Sequence, residues 1–266
     1  MSPLATRILV AAIGLPLVLA ALWAGRWWLF ALVLPAALIA SHEFFAMTHP
    51  LRPISIAGYA GVAGLLVAVQ KADLVWSIGA LLATLALAFL LKGLAPTQGS
   101  STVSVGVTML GTVWIGFGLG CVLLLREVPD HGFVVSLAVL LAIFADDTAA
   151  YFGGRAVGRH KLAPAISPGK TWEGFVFGSL AAVLVVFLTL YDDRDEFLTI
   201  SESLLLGVVI ALAAPLGDLF ESMLKRDLGL KDSGRILAGH GGVLDRIDAI
   251  LFAFPAAFFT VHALIT

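Results

Sequence analysis

The chain has 266 residues, 60% of them hydrophobic and 13% charged, and a mean hydropathy of +1.01, which leaves too little polar surface to coat a water-soluble domain. A formal charge of −2 lends a nucleic-acid partner no support. The single cysteine, Cys121, excludes an intramolecular disulfide and a cysteine-rich zinc site.

A helix that crosses hydrocarbon needs about 20 mostly apolar residues, because each backbone amide must find its partner inside the segment. Apolar runs predict about nine such helices, near 8–24, 27–47, 54–70, 74–91, 105–125, 133–151, 174–191, 203–224 and 243–265. The expected fold is therefore all-α, a polytopic integral membrane protein. Residues 1–24 also have the outline of a signal peptide, but a multispan protein more often keeps such a segment as its first helix. Between the fourth and fifth runs, GLAPTQGSSTVS (93–104) is a polar loop without identifiable chemistry.

With nine spans, the N-terminus and the even-numbered loops share one side of the membrane, and that side holds twelve basic residues. The other side holds four, Arg26, Lys71, Arg126 and Arg194, together with the acidic YDDRDE (191–196). The positive-inside rule then puts the N-terminus and both large basic loops in the cytoplasm. Charge is also uneven along the chain, with ten charged residues in 1–130 and twenty-four in 131–266. The first stretch reads as a transmembrane scaffold and the second as a catalytic region within one membrane-embedded unit. No internal repeat is visible, which argues against the inverted repeats common in secondary transporters.

Ionisable groups inside spans cost about 2.5–3.5 kcal/mol on insertion scales and so point to function. Three sets qualify: Asp146 and Asp147 in FADDTAAYFGG, Asp218 in PLGDLFESMLK, and Asp245 and Asp248 in GGVLDRID. At ~1.5 Å per residue, Asp146 and Asp218 lie about 20 Å from the outer ends of their spans, and the third set opens a span on the same inner side. The expectation is a polar catalytic cavity toward the cytoplasmic face. Asp218, Ser222 and Lys225 fall on one helix face, as do Asp245 and Asp248. Crowded carboxylates without cysteine or clustered histidine favour Mg²⁺, and the choice between one cation and a second beside it stays open. The plainer alternative, that an aspartate merely pairs with a nearby Lys or Arg, stays open for any one of them.

The loop GGRAVGRHKLAPAISPGKTWEG (153–174) offers Ser167, Lys170 and Thr171 as phosphate donors. GKT at 169–171 is not a P-loop, because Pro164 stands where the pattern needs glycine and no strand is predicted before it. Simple attraction of Arg155, Arg159 and Lys161 to anionic lipid also fits the loop, but leaves SPGKTWEG unexplained. His240 in GHGG either contacts a phosphate or occupies a tight turn.

Ser222 to Asp248, SMLKRDLGLKDSGRILAGHGGVLDRID, resembles the signature of the phosphatidate cytidylyltransferases, also called CDP-diacylglycerol synthases. DDTAAYFGGR and SPGKTWEG resemble further segments of that family, so the likeness covers about residues 140–250. It implies transfer of CMP from CTP to phosphatidate of the inner leaflet, giving CDP-diacylglycerol and pyrophosphate for phospholipid biosynthesis. It also implies a requirement for Mg²⁺, an all-helical membrane fold and a homodimer. Carried over by residue, Asp218 and Asp245 become metal ligands with Asp248 close by, and Ser222, Lys225 and Arg226 become phosphate contacts. Asp146 and Asp147 are further metal candidates, and Ser167, Lys170, Thr171, Lys231, His240 and Arg246 complete the substrate-binding set.

Two other classes compete. One is a different CTP-using lipid phosphotransferase, such as a polyprenol kinase, which only product analysis separates. The other is an ion or substrate transporter, whose site would tend to lie near the midplane of repeats rather than at one interface.

Overall fold

The computed structural model of the protein describes residues 3–71, 74–94, 99–230, 233–234 and 242–266. Its helices in chain order are α1 (Pro3–Ala24), α2 (Arg26–Met47), α3 (Ser55–Gln70), α4 (Leu74–Leu94), α5 (Ser101–Gly111), α6 (Gly118–Arg126), α7 (Gly132–Val157), α8 (Trp172–Leu190), α9 (Ile200–Asp227), α10 (Leu244–Ile247) and α11 (Ile250–Ile265). A 3-10 turn, His49–Leu51, follows α2, and a π-helical stretch, Thr112–Phe117, joins α5 to α6.

Among the described residues, seven helical segments are long and apolar enough to cross a membrane: Arg26–Met47, Val75–Leu94, Ser101–Arg126, Gly132–Val157, Trp172–Leu190, Ile200–Asp227 and Leu244–Ile265. The first expected span falls on α1 (Pro3–Ala24), and the third appears as a shorter apolar helix, α3 (Ser55–Gln70). Sixteen residues at ~1.5 Å each reach about 24 Å, short of a hydrocarbon core of about 30 Å. The all-α expectation meets one local exception. Within 153–174, β1 (Lys161–Ala163) runs antiparallel to β2 (Ser167–Thr171), with Lys161 opposite Thr171 and Ala163 opposite Ser167.

The chain packs as two compact units. The first comprises Met1–Leu124 and Leu228–Ile247, so much of the sequence signature returns to the N-terminal helices. Its core centres on Phe44 and Phe45 of α2, whose rings lie 5.5 Å apart, with Trp114 edge-on to Phe44 at 5.9 Å. Gly111 makes room for this cluster: a Cβ there would stand 2.6 Å from the Phe44 ring. Buried hydroxyls donate to carbonyls four residues back, Ser41 to Ala37, Thr48 to Phe44, Thr108 to Ser104 and Thr112 to Thr108, at 2.7 to 2.9 Å. That is how a hydroxyl is satisfied where water is absent.

The second unit comprises Leu125–Asp227 and Asp248–Thr266. Here α7 packs on α8, α8 on α9, and α11 on α9. Ala182, Val186 and Leu190 of α8 are fully buried, while Leu180, Leu184 and Leu188 are 65, 54 and 61% exposed. An apolar stripe left outside suits acyl chains as its solvent and not water.

Candidate active site

The second unit gathers charge around α9. Lys170 projects from β2 and its Nζ lies 2.7 Å from Asp218 Oδ2. Ser222, one turn along α9, donates to Asp218 Oδ1 at 3.3 Å. Fully buried Glu221 accepts from Lys225 Nζ at 2.9 Å, and Lys225 itself is 8% exposed. Asp248, which accepts from the Ala249 amide at 2.8 Å, is an electrostatic neighbour of Asp218, Glu221 and Lys225. Buried Asp146 and exposed Asp147 on α7 are electrostatic neighbours, and Lys170 acts on Asp146 as well. Gly178 of α8 lets the helices close on that aspartate: a Cβ there would sit 2.6 Å from Asp146 Oδ1, an atom with no hydrogen-bond partner among the described residues.

The hairpin has structural duties too. Thr171, buried, caps α8 by accepting the Gly174 amide at 3.1 Å. Glycines 154 and 158 at the end of α7 fit against its hydroxyl, where a Cβ would come within 2.9 and 2.8 Å. The glycines of GGRAVG thus let a helix end approach a cap. Glu173, in the first turn of α8, holds His160 Nδ1 at 2.7 Å. Arg226, exposed, donates its Nε to the Ile166 carbonyl at 3.2 Å, tying the end of α9 to the hairpin turn. Ser167 is half-buried at the start of β2.

In the first unit, half-buried Asp245 fastens the signature loop. Its carboxylate accepts the Ser233 amide at 3.2 Å and the Gly242 amide at 2.7 Å. Arg246 beside it is exposed. Lys231 and His240 lie outside the described residues.

Two carboxylates absent from the sequence expectations belong to these networks. Glu221 partners Lys225, and its signal was position: three residues after Asp218 and four before Lys225 it shares their helix face. Glu43 of α2, 2% exposed, accepts the Leu244 amide at 2.8 Å. Its signal was solitude, as the only acidic residue of the first seventy in an otherwise apolar span.

No three His, Cys, Asp or Glu among the described residues form a group that would enclose a metal ion. Mg²⁺ asks for less, since it is held by one or two carboxylates with waters and substrate phosphates completing the shell. Asp146, with a buried unpartnered oxygen, and Asp218, whose present partners are an ammonium and a hydroxyl, are hard donors of that kind. The residues fit such an ion.

A model of the cytidylyltransferase family matches residues 5–264. A phosphatidate cytidylyltransferase of Mycobacterium bovis is 33% identical over 272 residues, covering 95% of this chain and 86% of that one. One from Staphylococcus haemolyticus is 33% identical over 253 residues, covering 94 and 95%. One from Haemophilus influenzae is 45% identical over 134 residues, about half of each chain, 48 and 45%. With a family match from one end to the other and relatives similar along nearly their full length, the chain belongs to the cytidylyltransferase family.

Proposed function

We propose that this membrane enzyme transfers CMP from CTP to phosphatidate, releasing pyrophosphate and leaving CDP-diacylglycerol in the bilayer. A phosphate oxygen of the lipid attacks the α-phosphorus, and the bond from that phosphorus to the bridging oxygen of the β-phosphate breaks. Phosphatidate is largely dianionic at neutral pH, because the second pKa of a phosphate monoester is about 6, so the nucleophile needs little help from a base. The difficulty is to bring two polyanions together, which is solved by positioning and charge neutralisation.

The observation that carries the reading is the meeting of Lys170 on β2 with Asp218 and Ser222 on α9, a mixed-sign, partly accessible cluster in an otherwise apolar unit. Asp218 and Asp245 are the proposed Mg²⁺ ligands, with Asp248, Asp146 and Asp147 as supporting carboxylates. The ion, when bound, supplies neutralisation of phosphate charge. Lys170 and Arg226 contribute cationic donors for phosphate oxygens, and Ser222, Ser167 and Arg246 contribute further polar contacts. Lys225 acts from its pairing with Glu221. Lys231 and His240 complete the proposed substrate-binding set.

The active site is proposed to face the cytoplasm, to draw phosphatidate from the inner leaflet, and to work in a homodimer. Incubating the purified protein with phosphatidate, radiolabelled CTP and Mg²⁺ tests the activity: a CMP-bearing lipid is expected, and its absence defeats the reading. Orientation has its own test. Arg159→Cys should react with a membrane-impermeant thiol reagent only in inside-out vesicles, against a quiet background because Cys121 is fully buried. Labelling in intact cells would reverse the topology.

A further inference from the structure

Glu43 joins α2 to the loop that ends in Asp245. One carboxylate oxygen accepts the Leu244 amide at 2.8 Å, and the other, Oε1, is buried with no hydrogen-bond partner among the described residues. Both ends of the loop press on this group. A Cβ on Gly234 would lie 2.7 Å from Glu43 Oε1, and a Cβ on Gly242 would lie 2.5 Å from Glu43 Oε2 and from Ser233 Oγ. Asp245 binds the same two ends through the Ser233 and Gly242 amides. Two carboxylates therefore hold Ser233 and Gly234 together with Gly242 and Leu244, and glycine is required where the backbone meets the buried one.

Burying an ionisable side chain in an apolar helix is costly unless the arrangement gives something back. Stability alone would be served as well by a well-packed apolar side chain. What the carboxylate adds is direction: it fixes the Leu244 amide, and the residue after Leu244 is Asp245.

We propose that Glu43 is a positioning residue for CMP transfer, a latch that holds the Gly242–Asp245 stretch against Ser233 and Gly234 so that the Asp245 carboxylate is oriented for its ligand. This rests on the proposed role of Asp245. The latch predicts that loss of Glu43 weakens Mg²⁺ use more than it weakens the fold.

The test compares Glu43→Ala, Glu43→Gln and Gly234→Ala in the full chain in detergent micelles, by amide hydrogen exchange and by Mg²⁺ titration of CMP transfer. In Glu43→Ala, amides of 242–247 should exchange about tenfold faster, the scale of one lost buried hydrogen bond, with α8 unchanged. Half-saturating Mg²⁺ should rise about 10–100-fold, as when a partner that orients a metal ligand is lost. Glu43→Gln keeps an acceptor for Leu244 and should recover most of both effects. Gly234→Ala should reproduce the defect, but add little in a Glu43→Ala background, where its Cβ has room. Unchanged exchange at 242–247 overturns the latch, and faster exchange spread evenly through α3 and α8 marks a merely structural residue. Faster local exchange with wild-type Mg²⁺ dependence overturns the positioning role. A wild-type protein that makes no CMP-lipid overturns the activity reading and the positioning role with it, while the exchange arm decides the latch separately.

Discussion

Lys225 and Arg226 are neighbours in sequence with opposite surroundings, and their variants should diverge. Arg226 is exposed at the end of α9, so Arg226→Ala should lower kcat/KM by about 2–4 kcal/mol if its guanidinium meets phosphate, the scale for one lost charge-stabilising donor. Wild-type kinetics for CTP in neutral micelles would refute that role. Lys225→Ala strands the fully buried carboxylate of Glu221, and breaking a buried pair from one side costs about 3–5 kcal/mol of stability. Adding Glu221→Gln should restore the folded yield, which a thermal-unfolding comparison checks. Asp218→Asn and Asp245→Asn are close to isosteric, and each should abolish turnover while the protein still inserts and purifies. Near wild-type activity of either at saturating Mg²⁺ would remove it from the ligand set. Asp146, Asp218 and Asp248 were legible in the sequence because charge is rare in an apolar span. Glu43 was not singled out, because clustering drew attention to carboxylates near one another and Glu43 has none beside it in the chain.

At the scale of the element, the helices were legible from apolar runs, and the hairpin was not. Strands of three and five residues, one of them SPGKT, show no alternation of apolar and polar residues, and proline and glycine weaken any strand propensity. The hairpin matters because β2 delivers Lys170 to Asp218 and ends in Thr171, the cap of α8. Thr171→Ala should cost about 1 kcal/mol of stability by removing that cap, and Thr171→Ser should keep most of it. If Thr171 served phosphate binding alone, the melting temperature would not move and only the KM for CTP would rise.

For the molecule as a whole, hard oxygen donors make the expected metal dependence specific. Activity should vanish in excess EDTA and return with Mg²⁺. Full activity in the chelator, or a requirement for zinc alone, would contradict the donor chemistry. Composition and hydropathy made the membrane fold legible, whereas the return of Leu228–Ile247 to the N-terminal helices was not. Long-range packing of a glycine-rich segment leaves no period in the sequence, and the hydrogen bond to Glu43 of α2 comes from the Leu244 backbone amide, a donor that every residue but proline carries.

The Lys225 pairing with Glu221 lies within one helix, four residues apart, and this bears on how the chain is made. A nascent α9 can carry that pair into the bilayer already neutralised, since both partners emerge together and neither waits for a distant segment. Asp218 has no such companion on α9, but its ammonium, Lys170, lies earlier in the chain and is synthesised first. For Asp218 and Glu221 the counter-charge is either already made or follows four residues behind, so neither carboxylate depends on a later span for it.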